Sequence, residues 1–414
     1  MQGIRNRAGG ITLGSAIRDL IVNLLPIKRL PKAWIQRLYG RDVSFIFLTH
    51  PRNTQDIYKT FPLLRRLRTI FPEKMIFHIL SFCPCFVAAR VATNRGLSGF
   101  FVSTSLFPES LFNNRDRTLR NASRILNFIS KITTGPVYVG LAAWWPIVTN
   151  AGAAFQRFNR ENDRIIITNG HTCTLASIFL SVEKIALISN VPVGSLEILI
   201  IGAGKMGGAV AAALNSRVYK IGLVDQNERR LCSLAEELRN GKKGSEIEQF
   251  VVNSGTFSDI VLPALTKYHI AVCTTSNIGY VIEDASKLTN CVILDDARPE
   301  AFPRIVSVAR NAVVLEGGLM KIDGVQVDSD FGFGTDRNVF GCLAEALLLS
   351  IDQAKTLLPT VGDIGMDNFK QFLSVCEENG IVQGDFVSGH VHVEDAVIKS
   401  VMHAKMAIMA TSKE

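Results

Sequence analysis

No uncharged apolar run in the 414 residues reaches the roughly 18–20 positions needed to cross a bilayer. The nearest, residues 75–89 (MIFHILSFCPCFVAA), is shorter and is interrupted by His78 and Pro84. The opening residues lack the long apolar core and small-residue cleavage site of a secretory signal. There is no internal repeat at solenoid spacing and no low-complexity tract, which excludes repeat and linker-like architectures. The eight cysteines show no paired Cys-x-x-Cys spacing, so they read as reduced thiols of a cytoplasmic protein and not as a disulfide scaffold. Cys83-Pro84-Cys85 has no matching ligand cluster and reads as buried strand. His390 and His392 would share one face of a strand without a third ligand, so no metal site is expected.

Apolar residues, in contrast, are plentiful. Hydrophobic types make up 47% of the chain and charged types 20%, enough for a large core, and the length argues for two domains. The net charge of +8 is uneven. Residues 1–68 hold thirteen Lys/Arg against Asp19, Asp42 and Asp56, a local charge of +10 that leaves −2 for the rest. Residues 1–41 read as a basic helical leader broken by Pro26 and Pro31. Such a segment suits peripheral contact with an anionic membrane or an acidic protein, and equally an ordinary solvated helix pair. No aromatic-and-basic motif of a nucleic-acid-binding module is present, so no nucleic acid is expected.

Beyond the leader, strand-like runs alternate with helical ones, the pattern of an α/β protein. Strand signals fall at residues 42–50 and 99–106, residues 137–152 read as a strand entering a loop, and residues 164–174 as a further strand and loop. Residues 115–132 read as a long helix with Leu119, Ala122, Ile125, Leu126 and Ile129 on one face. A further helix is expected from Leu175 to Ser189, and proline and glycine in residues 190–195 mark a junction. The predicted organisation is an N-terminal α/β substrate domain (42–190), then a Rossmann-type dinucleotide-binding domain (191–355). A tail (356–414) is expected to pack on the substrate domain.

The second of these domains opens on the strongest motif of the chain. An apolar run from Ile198 to Ile201 leads directly into Gly202-Ala203-Gly204-Lys205-Met206-Gly207. A small-residue helix and a second apolar run ending in Asp225 follow. This is the order strand, glycine turn, helix, strand, acid of a dinucleotide site. Gly202 permits the tight turn, Gly204 lets the backbone approach a pyrophosphate, and Gly207 lets the helix pack on the sheet. Thr274, Thr275, Asp295, Asp296, Arg298, Glu316, Gly317 and Gly318 fall at the carboxyl ends of later strand-like runs, where such sheets bind ligands. The expected cofactor is NADH or NADPH.

Residues 338–350, NVFGCLAEALLLS, open a helical segment in which Asn338 can serve as N-cap and Cys342 would lie in the first turn. A thiol there faces the positive end of the helix, which favours the thiolate. Several blocks now fall into order: LFPESLFNNRDRTLRNASRILNFIS, GLAAWWPIVTNAG, TNGHTCT with Val182-Glu183, the glycine turn, VILDDARP, VLEGG and FGCLAEALLL. Over roughly residues 42–355 the chain resembles the long-chain acyl-[acyl-carrier-protein] reductases that form fatty aldehydes, and their bacterial relatives labelled predicted amino-acid dehydrogenases.

The resemblance implies an acyl-accepting nucleophile at Cys342. It also implies an acyl thioester on acyl-carrier protein or CoA as substrate, and reduction of the resulting acyl-enzyme by a nicotinamide cofactor. Oxyanion donors are expected among His171, Thr172, Thr174 and the N–H groups of Gly317 and Gly318. His171 can also move protons, and Glu345, one turn beyond Cys342, is a further catalytic candidate that would face it, or else a solvated or ion-paired helix residue. Asp225 favours the ribose diol of NADH, while the cyanobacterial relatives carry arginine one position later, where this chain has Gln226, and use NADPH. Two other readings stand beside this one. One is an amino-acid or shikimate-type dehydrogenase without a covalent intermediate, and the other a non-catalytic dinucleotide-sensing module.

Overall fold

The computed structural model describes residues 11–411 except 41, 52–53, 55–56, 59–63, 65–66, 81–82, 107, 159–162, 241–243, 277–278, 298–299, 329–337, 354 and 390. Arg298 and His390 therefore lie outside the described residues. The chain divides into two compact units. Unit one comprises residues 1–170, 323–331 and 342–363, and unit two comprises 171–322, 332–341 and 364–414. Three differences from the sequence reading follow. The division falls at Gly170/His171 instead of near 190, residues from Cys342 to Asp363 belong to unit one, and the tail from Ile364 belongs to unit two.

Unit one is built on a sheet of β1 (Phe45–Thr49), β2 (Cys85–Thr93), β3 (Ser98–Thr104), β4 (Val137–Leu141), β5 (Ile165–Thr168) and β14 (Val325–Val327), ordered β14-β2-β3-β1-β4-β5. β1 runs parallel to β3 and β4, and β4 parallel to β5. β2 pairs antiparallel with β3 and with β14. The helix Arg115–Ile132 starts where Asn114 accepts a hydrogen bond from the Arg117 N–H. It buries Ala122, Ile125, Leu126 and Ile129 in one core with Ile46, Leu48, Val102, Val139 and Ile167. Each Ile, Leu or Val among them contributes about 1.5–3 kcal/mol by leaving water.

The leader forms two helices, Leu13–Leu24 and Lys32–Tyr39, with Pro26 and Pro31 in the break. Asp19 fixes the first of them. Its buried carboxylate accepts from Arg18, from the Tyr39 hydroxyl at 3.0 Å and from the Val87 N–H at 2.9 Å. The buried Lys131 ammonium donates to the carbonyls of Val22, Asn23 and Leu25, satisfying acceptors that the helix end leaves open.

Unit two carries a seven-stranded sheet, ordered β11-β12-β10-β9-β6-β7-β8. Its strands are β6 (Glu197–Ile201), β7 (Lys220–Asp225), β8 (Glu246–Val251), β9 (Ile270–Cys273), β10 (Cys291–Asp295), β11 (Val306–Ser307) and β12 (Ala312–Glu316). All neighbours are parallel except β11 with β12. Counted from β6, the parallel strands stand in the doubly wound dinucleotide-binding order 3-2-1-4-5-6, with the reversal between β6 and β9. β6 is buried at all five positions, as a strand covered on both faces must be. A small antiparallel sheet joins β13 (Leu319–Lys321), β15 (Asn338–Phe340) and β16 (Val382–Gln383).

The helix expected from Leu175 begins at His171 and runs to Ser189. Among the described residues it alone is long and apolar enough to cross a membrane, and 67% of that stretch is buried. It packs against the helices Lys205–Leu214, Met366–Glu378 and Asp395–Thr411 of its own unit. The last of these also packs on β10, so the tail completes unit two and not unit one.

Candidate functional site

In unit two the glycine turn links the end of β6 to the helix Lys205–Leu214. Gly202 sits at φ +95°, a conformation open to glycine, and a Cβ there would crowd Thr275. A Cβ on Gly207 would lie 1.8 Å from the Gly202 carbonyl, so only glycine lets the helix come this close. A Cβ on Gly204 would meet nothing within 4 Å. Gly204 is also the residue from which the helix starts, so its open side and the first helical N–H groups suit a pyrophosphate.

Asp225, buried at the end of β7, closes the turn. Its Oδ2 accepts from the Ala203 N–H at 2.8 Å and its Oδ1 from the Asn227 N–H at 2.8 Å. Thr274 donates its hydroxyl to the Gly202 carbonyl at 2.9 Å. A pocket opens here, lined by Gly202, Gly204, Asp225, Arg230, Thr275 and Tyr280 among others. Arg230 reaches to 3.6 Å from Asp225, and Gln226 accepts from the Tyr280 hydroxyl at 2.9 Å. Lys205 is exposed and Met206 half-buried at the start of the helix. Glycine turn, acid and threonines thus form one cleft at the strand-order reversal, and these residues fit a dinucleotide.

A second cluster in unit two gathers at the start of the helix His171–Ser189. Thr172 is buried, and His171 and Thr174 are half-buried. A Cβ on Gly318 would lie 2.4 Å from the Asp296 carboxylate and 3.7 Å from Thr174, and the Gly318 carbonyl accepts from the Gly341 N–H at 2.7 Å. The expectation for Gly317 fails: its N–H already donates to the Asp295 carbonyl at 3.0 Å. His171 is the first residue of the helix and not part of a loop before it.

In unit one, Cys342 is the second residue of the helix Gly341–Asp352 and is half-buried. First-turn placement holds, but Asn338 is not the cap. It lies in β15, where its side chain accepts from the Asp385 N–H at 2.9 Å and donates to the Asp385 carbonyl at 3.2 Å. A Cβ on Gly170, at φ +74°, would lie 2.3 Å from the Cys342 Cβ. One on Gly140, in β4, would lie 2.9 Å from the Cys342 carbonyl and 3.0 Å from Ala346. Two glycines at the carboxyl ends of neighbouring strands therefore admit the start of this helix.

Glu345 is fully buried. Its Oε1 accepts from the Thr168 hydroxyl and from the Thr360 N–H at 3.2 Å. The adjacent Asn169 donates from its side chain to the Ala151 and Gly362 carbonyls. Thr168 thus holds Glu345 and Gly170 makes room for Cys342, while Asn169 ties the segment to the Ala151 and Gly362 backbone. The sequence reading quoted this segment but assigned roles only to His171, Thr172 and Thr174 after it. Cys83 and Cys85 are buried among apolar groups, and among the described residues no group of metal ligands forms.

No family model matches the chain, and no curated protein matches it. Among solved structures, a dipicolinate synthase chain from Bacillus halodurans is similar at 14% identity and a TM-score of 0.25, over 49% of this chain and 60% of that one. The match thus spans less than two thirds of that protein. A shikimate dehydrogenase in complex with NADP+ is similar at 13% identity and a TM-score of 0.33, over 86% of this chain and 99% of that one. L-tryptophan dehydrogenase from Nostoc punctiforme is similar at 11% identity and a TM-score of 0.36, over 90% and 89%. Likenesses this distant carry no function to the chain, and its fold rests on its own strand order.

Proposed function

We propose that the chain is an NAD(P)H-dependent oxidoreductase that reduces an acyl thioester, on acyl-carrier protein or CoA, to an aldehyde through a covalent thioester on Cys342. The observation that carries this reading is the seat of Cys342: a half-buried thiol in the first turn of a helix, admitted by Gly170 and Gly140, with the buried Glu345 one turn on.

The chemistry follows from these groups. The helix start favours the thiolate. Its sulfur bonds to the acyl carbon, the carbonyl electrons move to oxygen, and their return expels the carrier thiolate, which takes up a proton. Gly202, Gly204, Asp225, Thr274 and Thr275 would hold the dinucleotide, which when bound supplies a hydride. Reduction at the thioester carbon leaves a hemithioacetal on Cys342, and its collapse releases the aldehyde and regenerates the thiolate. The developing oxyanion calls for donors, for which the first N–H groups of the Cys342 helix are the candidates. Glu345, held by Thr168 and Thr360, positions the first turn of that helix.

Incubation with acyl-carrier protein or acyl-CoA and no reductant should give an acyl adduct by intact mass, absent in Cys342→Ala. Added NADPH or NADH should then discharge it as aldehyde. Retained activity in Cys342→Ser would instead indicate a dehydrogenase without a covalent intermediate. Dinucleotide binding with no turnover of any thioester would indicate a sensing module.

A further inference from the structure

The outward face of the first helix is apolar. Leu13, Ile17, Ile21 and Leu24 keep between 46% and 68% of their surface exposed, and Leu20 is exposed beside them. At 100° per residue these five positions fall within one stripe about 100° wide. A surface helix normally turns such a stripe inward. Here the opposite face is held down. Val22 is buried, and Asp19 accepts hydrogen bonds from Arg18, Tyr39 and the Val87 N–H. Rotating the stripe inward would pull that carboxylate off the Tyr39 hydroxyl and the Val87 N–H, which belong to other elements. The outward aliphatic face is thus built into the unit.

Its surroundings say what covers it. Trp34 stands 57% exposed on the second helix, with Ile27 exposed in the break between them. Lys28, Arg29, Lys32 and Arg37 are exposed along the same segment. Residues 11–40 carry five basic side chains against the single, buried Asp19. An exposed aliphatic stripe followed by basic residues and a tryptophan is the composition of a helix lying in a membrane interface. A second copy would bring like charges together, and a helix of 12 residues offers too little area for a stable dimer. An acidic protein would engage the cations and leave the aliphatic stripe without a partner.

We infer that the helix pair Leu13–Tyr39 docks the protein on a membrane surface rich in anionic phospholipid. Leu13, Ile17, Leu20, Ile21 and Leu24 enter the acyl boundary, while Lys28, Arg29, Lys32 and Arg37 meet the headgroups. This inference does not depend on the thioester reading, because a chain of any catalytic activity would bind in the same way.

The test is flotation of the full chain with vesicles of phosphatidylcholine, with and without phosphatidylglycerol. The wild type should float with the anionic vesicles, weakly with neutral ones and less at high salt. Both Ile17→Asp/Ile21→Asp and Leu13→Asp/Leu24→Asp should lower the binding constant by about tenfold or more. Their melting temperatures should stay at the wild-type value, since the positions are exposed. Tryptophan emission should shift to the blue on binding, and Trp34→Phe should abolish the shift. Absence of flotation, or flotation undiminished in both double variants, overturns the inference. So does a dimer seen by light scattering that these variants dissociate, or capture on immobilised acyl-carrier protein that they abolish without any flotation of the wild type.

Discussion

A thiol's chemistry is decided by its surroundings, and the eight cysteines separate cleanly on that ground. Burial pushes Cys83 up to about 12 and Cys291 up to about 11, and it also raises Cys85 and Cys273. Cys173 and Cys376 are buried too, whereas Cys232 is exposed and Cys342 half-buried. Brief treatment of the folded protein with iodoacetamide at neutral pH should therefore label Cys232 and Cys342 and spare the other six, as read by peptide mapping. Prior exposure to acyl thioester should protect Cys342 alone. The helix around Cys342 was legible in the sequence because a run of small and apolar residues follows it. The parts played by Gly140 and Gly170 were not. A missing side chain leaves no trace until the atoms it makes room for, some 170–200 positions away, are in place. Asn338 misled for a related reason, since an asparagine satisfies a helix end and a strand bridge equally well.

At the scale of elements, the glycine turn was read almost whole, because strand, turn, helix, strand and acid are all local. Its glycines nevertheless have different tasks, which two substitutions separate. Gly207→Ala drives a Cβ into the Gly202 carbonyl and should destabilise the fold by about 1–3 kcal/mol while weakening dinucleotide binding. Gly204→Ala meets no protein atom, so its melting temperature should match the wild type. Its dinucleotide affinity should still fall, by about tenfold or more, because the new methyl occupies space needed by the pyrophosphate. Thermal melts alongside dinucleotide titrations distinguish the two. The helix His171–Ser189 was legible only from Leu175, since His171-Thr-Cys-Thr has no apolar period and reads as loop. The expected division of the chain came too late because this whole helix was assigned to the first domain, whereas it opens unit two.

For the whole molecule, a reading in chain order assigned Cys342 to the Rossmann domain and the tail to the other. The chain instead passes between units after residues 170, 322, 331, 341 and 363. Nothing local marks these passages, because they follow from which surfaces bury which. The tail is anchored by Lys405, buried and donating to the Leu265 and Asn290 carbonyls. Burial lowers its ammonium to about 8, with the neighbouring Cys291 opposing. Below pH 8 both folded and unfolded chains carry the proton, and the cost of burying the charge is fully present. From about 8 to the ordinary lysine value of 10.5 only the unfolded chain keeps it, so this residue's contribution to stability rises with pH. Buried thiols and tyrosines act in the opposite sense over the same range, so the informative quantity is the difference between wild type and Lys405→Met. That difference should move in favour of the wild type between pH 8 and 10, by on the order of a few kcal/mol at most. Denaturant melts across that range would reveal it, and a flat difference would count against the buried charge.

The sheet order of unit one has a further consequence, which concerns the time at which its pieces are made. β14 is the outer neighbour of β2, yet it begins at Val325, long after β2 ends at Thr93. While the ribosome works through the residues between them, the edge of β2 at Val91–Thr93 has no strand to pair with. An open edge of this kind recruits other chains. That stretch of edge stays exposed in the nascent chain until Val325–Val327 are made and cover it.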